Sequence, residues 1–170
     1  MPRYLMRSVI VVSLIAIYGC EDGEDSSPST AAPPTRQYYG DFSFETPSGW
    51  LKVRPDLLKT RAMLLVGSDT WQEASGMIKV DVGPPAHQTP QESASHFAEI
   101  INGHISTDTP DFDGEMAIKV TTSSTTLDLP QEINIIFRDG KAYFIMIGAV
   151  EGVDPGDVME HVRSTWRWED

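Results

Sequence analysis

The chain has 170 residues, 13 basic and 25 acidic, a formal charge of −12 and one cysteine. An acid excess of that size leaves no cationic surface to track phosphates, which argues against nucleic acid as a partner and against electrostatic attachment to anionic lipid. A lone cysteine excludes an internal disulfide and a multi-cysteine zinc site, so the core itself must hold the fold.

The first element is a short export signal. Arg3 and Arg7 form a cationic start, and Val9 to Ile17 follow as an apolar run with one serine. About nine residues at ~1.5 Å each cannot span a hydrocarbon layer of ~30 Å, but they suit a signal segment. The run ends in Ile17-Tyr18-Gly19-Cys20, which resembles the lipobox of bacterial lipoproteins. The resemblance implies a signal over residues 1–19, cleaved before Cys20, whose thiol carries diacylglycerol. Two acyl chains at ~0.8 kcal/mol per buried methylene are enough for stable attachment. Both arginines leave with the signal, so 11 basic residues then face 25 acidic ones and the charge becomes −14.

Residues 20–37 read as an acidic, Pro- and Ser-rich tether with no apolar period, unable to bury enough surface to order itself. Glu21 to Gln37 reach at most ~55 Å when fully extended, which keeps the domain close to its membrane.

Residues 38–170 read as one domain of roughly 130 residues, enough to enclose a core. Phe42-Ser43-Phe44 is a short strand, and Gly49-Trp50 follows a turn. Ala62 to Val66 is a compact apolar strand. Met77 to Val82 alternates, with Ile78, Val80 and Val82 on one face. A helix begins at Thr89 as N-cap, with Pro90 at its first position and Glu92 at its third. Ala94, Phe97, Ala98, Ile101 and Ile105 carry its apolar stripe. The acidic stretch from Asp108 to Glu115 reads as a loop, and Met116, Ile118 and Val120 alternate after it. Glu132–Arg138 and Lys141–Val150 flank Asp139-Gly140, the pair that a type I′ hairpin turn demands. Both strands are apolar on both faces and so belong at the centre of a sheet covered on two sides. A second helix starts at Asp154-Pro155 and runs to about Thr165, and Trp166-Arg167-Trp168 closes as a short strand. The order predicts an α+β class with a mostly antiparallel sheet.

These residues resemble the MOG/PsbP-like family across most of 40–168. The resemblance rests on Phe44, Pro47, Gly49 and Trp50, on the Met77–Val82 strand and the Thr89–Ile105 helix. It continues through Gly114 before Met116–Val120, the Asp139-Gly140 hairpin with Tyr143, and the final helix running into Ser164-Thr165-Trp166. It implies an antiparallel sheet sandwiched by helices. It also implies a non-catalytic role, since the family includes an extrinsic photosystem subunit, a Ran-binding import factor and bacterial lipoproteins.

No nucleophile motif surrounds Ser48 or Ser68, and Gly83-Pro84-Pro85 is no phosphate cradle because proline has no N–H. Of the histidines, Glu92 and His96 share a helix face but supply only a pair, short of a zinc site, and His87, His104 and His161 add no motif. We therefore expect no catalytic residue, no metal and no cofactor. Asp108, Asp111, Asp113 and Glu115 are the candidate binding carboxylates. The EF-hand template, fixed by Gly114, puts Thr109 and Val120 where carboxylates are needed, so only a looser cation site fits. Trp71, in a polar stretch, is a candidate exposed anchor for a partner. The expectation is a non-catalytic, protein-binding or assembly lipoprotein of the bacterial cell envelope, held to a membrane through Cys20. The alternative is a small-ligand or calcium-binding lipoprotein using residues 108–115.

Overall fold

The structure is a computed structural model and describes residues 34–54, 59–70, 73–123, 130–149 and 152–169. Its frame is a seven-stranded antiparallel sheet ordered β3-β4-β5-β11-β10-β9-β6. These strands are Trp50–Lys52 (β3), Thr60–Val66 (β4), Gly76–Gly83 (β5), His104–Ile105 (β6), Ile118–Thr121 (β9), Glu132–Arg138 (β10) and Lys141–Ala149 (β11). β10 and β11 pair from Arg138↔Lys141 to Glu132↔Ile147 around Asp139-Gly140. Both turn residues have positive φ, 49° and 73°, as a type I′ turn requires. β11 is the middle strand, which accounts for its being apolar on both faces.

The two helices are α1, Pro90–Ile100, and α2, Pro155–Thr165. Both open on the expected caps. Thr89 Oγ1 accepts from the Glu92 amide, and Asp154 accepts from the amides of Gly156 and Asp157. Alternation along β11 sorts their contacts. Tyr143, Ile145 and Ile147 cluster with Met159, Val162 and Trp166 of the α2 region. Met146 and Phe144 cluster instead with Ala94, Phe97 and Ile101 of the α1 region. Each fully buried large apolar side chain contributes about 1.5–3 kcal/mol of transfer free energy. None of the described helices is long and apolar enough to cross a membrane.

A second, three-stranded sheet is built from β1 (Arg36–Tyr38), β2 (Phe42–Glu45) and β12 (Arg167–Trp168), in the order β1-β2-β12. It carries an aromatic stack. Trp166 is 0% exposed and lies parallel to Phe42 at 4.5 Å and Phe44 at 5.7 Å, with Phe112 edge-on at 5.5 Å. Trp50 of β3 is buried as well.

Three expected boundaries move. Ordered pairing begins at Arg36, inside the segment read as tether, because its guanidinium donates to Ser43 Oγ and meets Glu45 across the strand pair. α1 ends at Ile100 rather than Ile105: Asn102 takes φ 49° and the Gly103 amide closes on the Ala98 carbonyl at 2.8 Å. Ile105 then pairs with Val120 in the sheet. The acidic stretch is a hairpin, not a loop. β7 (Asp111–Phe112) and β8 (Glu115–Met116) flank Asp113-Gly114, whose φ values are 54° and 92°. Cys20, most of the tether and Trp71 lie outside the described residues.

Candidate functional site

The most elaborate polar constellation lies where the small sheet meets the tip of the β10–β11 hairpin. β1 and β2 are joined by Tyr39-Gly40-Asp41, with Gly40 at φ 89° and the Tyr39 amide donating to the Phe42 carbonyl. This turn brings Asp41 to the hairpin. There its Oδ2 accepts from Lys141 Nζ at 2.5 Å and from the Tyr143 hydroxyl at 3.0 Å. Lys141 and Tyr143 are two apart on one strand, so their side chains leave the same face. The Lys141 donor holds the Asp41 carboxyl below its ordinary range against the cost of desolvation, and the tyrosine hydroxyl adds a lesser push in the same direction as the lysine. Burial, then the bond to Asp41, pushes Tyr143 up to about 12. Near neutral pH Asp41 is thus a fixed anion and Tyr143 a fixed donor.

A cleft of about 410 Å³ opens beside this contact. Tyr39, Val82 and Pro84, with the fully buried Phe42 behind them, give it apolar surface, and Asp41, Lys141 and Arg61 give it charge. Arg61 comes from a β-bulge. Thr60 pairs with Asp81 and Ala62 with Val80, which leaves Arg61 as the extra residue of β4. Thr60 and Ala62 are buried while Arg61 is exposed, and its charge reaches Asp41. A smaller recess of about 170 Å³ shares Asp41 and Lys141 and adds Arg138, Asp139 and Glu169. The Arg138 guanidinium lies 4.6 Å over the Trp168 ring and pairs with Asp139.

The carboxylates singled out from the sequence go to separate partners. Asp108 is held below its ordinary range by the bond from Lys119 Nζ, 2.8 Å away. Asp111 accepts from the Gly114 amide within its own turn, and Asp113 accepts from the Trp168 amide. Glu115 is half-buried opposite Phe112. Among the described residues no three histidine, cysteine or acidic side chains gather in a way that could hold a metal ion. His87 and His96 lie ring to ring at 5.2 Å. His104 contacts Thr121, and His161 bonds the Glu45 carbonyl. Asp108 also borders a cleft of about 250 Å³ under α2, where the cations are already matched: Lys119 to Asp108, and Arg163 to Glu160.

Asp41, Arg61 and Lys141 are not singled out by sequence, and Tyr143 enters there only through the family resemblance, not as a site residue. The one available signal was Gly40-Asp41, a turn pair. Nothing local marks the bulge at Arg61, which exists only through the pairing of β4 with β5.

The architecture is that of a PsbP-like α+β fold, a mostly antiparallel sheet with two helices. Solved structures agree. Over 86% of this chain and 100% of the other, it matches the solution structure of cyanobacterial PsbP (CyanoP) from Synechocystis sp. PCC 6803 with TM-score 0.52 at 14% identity. A crystal structure from Bacteroides thetaiotaomicron VPI-5482 matches over 78% of this chain and 48% of that one, with TM-score 0.51 at 11% identity. At such identities the likeness speaks for the fold alone. No family model matches the chain, and no curated protein matches it.

Proposed function

We propose that this protein is a bacterial envelope lipoprotein, anchored through Cys20, whose MOG/PsbP-like domain binds a partner protein without catalysis. The observation that carries the binding reading is the pair of strands at the sheet ends. β1 ends the small sheet and β3 ends the large one. Lys52 of β3 reaches across to β1, where it donates to Gln37 Oε1 and sits 4.6 Å over the Tyr39 ring. Tyr38 of β1 is 65% exposed and Leu51 of β3 52%. Strand addition uses the backbone N–H and C=O groups along an end strand for affinity, with exposed side chains such as these setting specificity. The non-catalytic reading draws support from Asp41 and Tyr143, whose shifts carry both away from neutral and leave neither as a proton shuttle there. The sorting of β11 contacts between the two clusters supports a finer view of the fold, with a helix on each face of the large sheet.

The test is an in-cell cross-link and detergent pull-down of tagged full-length protein beside Cys20→Ser and Leu51→Asp. One envelope protein captured by the wild type and lost with either variant is the expected result. Unchanged membrane fractionation of Cys20→Ser defeats the anchor. Capture that is indifferent to Leu51→Asp defeats this surface.

A further inference from the structure

The cleft beside Asp41 is a different kind of feature from the exposed strands. Its volume of about 410 Å³ falls within the ~300–1,000 Å³ of small-molecule sites. Such sites join mostly apolar walls to a few placed polar groups, and here the walls are Tyr39, Val82 and Pro84, with the fully buried Phe42 behind them. Its charge runs against that of the chain. Arg61 and Lys141 face a single acid, Asp41, in a molecule of net charge −12. Lys141 is already committed to Asp41. Arg61, like Lys52, Arg54 and Lys59, makes no ion pair among the described residues, so its guanidinium is uncommitted. The bulge that sets it there interrupts an otherwise regular ladder.

We infer that this cleft is a binding site for a small organic monoanion, a carboxylate carried on an apolar body, with Arg61 as its recognition residue. The guanidinium offers the planar fork that a carboxylate accepts in bidentate fashion. The apolar walls take the body. Lys141 and Asp41 cancel, so the cleft balances one negative charge. This site goes beyond the protein-binding surface proposed above and does not depend on it, since Tyr38 and Leu51 are not among its walls.

The test is amide NMR of the full-length protein, titrated with 3-phenylpropionate, with its neutral alcohol analogue 3-phenyl-1-propanol, and with inorganic phosphate. A ligand of this size binds in the millimolar range. The carboxylate should give saturable shifts centred on Val82, Gly83 and Lys141. The alcohol and phosphate should each bind at least about tenfold more weakly. Arg61→Glu should weaken the carboxylate at least about tenfold while the amide spectrum stays that of the folded protein, because the side chain is exposed, and Arg61→Lys should recover part of the loss. Equal binding of acid and alcohol, equal binding to wild type and Arg61→Glu, or shifts centred elsewhere would each overturn the inference. So would no saturation by about 20 mM. Phosphate binding as tightly as the carboxylate would overturn its organic half.

Discussion

Two tryptophans two residues apart should respond to the same substitution in opposite ways. Trp166 is completely buried, yet its indole N–H has no hydrogen-bond partner among the described residues. Trp168 is only half-buried, yet its indole N–H donates to the Phe112 carbonyl at 2.7 Å, and Arg138 lies over its ring. Replacing Trp166 by phenylalanine leaves a void of about 40 Å³, costing about 1 kcal/mol at ~24 cal/mol per Å³, and loses about 1 kcal/mol more of ring burial. It also removes an unsatisfied buried donor, which relieves about 1–3 kcal/mol. Trp166→Phe should therefore fall within about 1 kcal/mol of wild type, or be more stable. Trp168→Phe forfeits a made hydrogen bond, about 0.5–1.5 kcal/mol, and part of a cation–π contact worth about 0.5–1 kcal/mol. With the lost ring area it should cost about 2–3 kcal/mol. Urea unfolding followed by far-ultraviolet dichroism measures both, and a gap of 2 kcal/mol is a midpoint difference of about 1 M at a slope near 2 kcal/mol/M. Trp166→Ala is the reference for losing the stack and should cost about 3–5 kcal/mol. If Trp166→Phe costs as much as Trp168→Phe, the argument from the unmatched donor is wrong.

Asp41 ties the β1–β2 turn to the hairpin, and its folded carboxyl titrates below its ordinary value. Its stabilisation is therefore complete above about pH 4–5 and is lost as pH falls through the folded value. Because the pair is largely solvent-exposed, the effect is at most about 1 kcal/mol, and Asp41→Asn should flatten the acid limb of a stability–pH curve. Tyr143 has the opposite sign: its raised value makes its contribution full below about pH 10 and lost between about 10 and 12, which Tyr143→Phe should abolish in the same assay. Asp154→Ala removes the cap of α2 and should lower stability by about 1 kcal/mol in urea titration. Gly103→Ala would place a Cβ 2.5 Å from the Thr121 carbonyl oxygen, a backbone atom that cannot rotate away. It should cost more than the ~0.5–1 kcal/mol separating these residues in ordinary positions and should lower the thermal midpoint visibly.

How much of this was legible depended on the range of the cause. Asp139-Gly140 is a local signal between two apolar runs, and the hairpin lies where it pointed. Thr89 and Asp154 likewise act within one turn of themselves. The same Asp-Gly signal stands at Asp113-Gly114, but the neighbouring strands are two residues each, too short for a period, and the crowd of acids resembled a loop. Phe112 is the exception in that stretch, fully buried against Trp166. The apolar stripe of α1 ran on through Ile105 because a short strand can continue a helical spacing by coincidence, and the helix stops where Asn102 turns left-handed. The candidate site was the least legible. Asp41 meets Lys141 across 100 positions, and Arg61 is placed by a pairing irregularity with β5. No window along the chain contains either relation.

The small sheet has a consequence for the order of assembly. β2 is hydrogen-bonded on one side to β1, close to it in the chain, and on the other to β12, the last strand to be synthesised. Until Trp166 emerges, Phe42, Phe44 and Phe112 lack the ring they share. The large sheet can pair β10 with β11 early, since their contact is local, whereas the aromatic stack must wait for a closure over most of the domain. A nascent or truncated chain would therefore present a strand with one free edge and a patch of uncovered aromatic rings, features that holding chaperones and proteases recognise. Those rings are covered only once β12 has paired with β2 and Trp166 has docked.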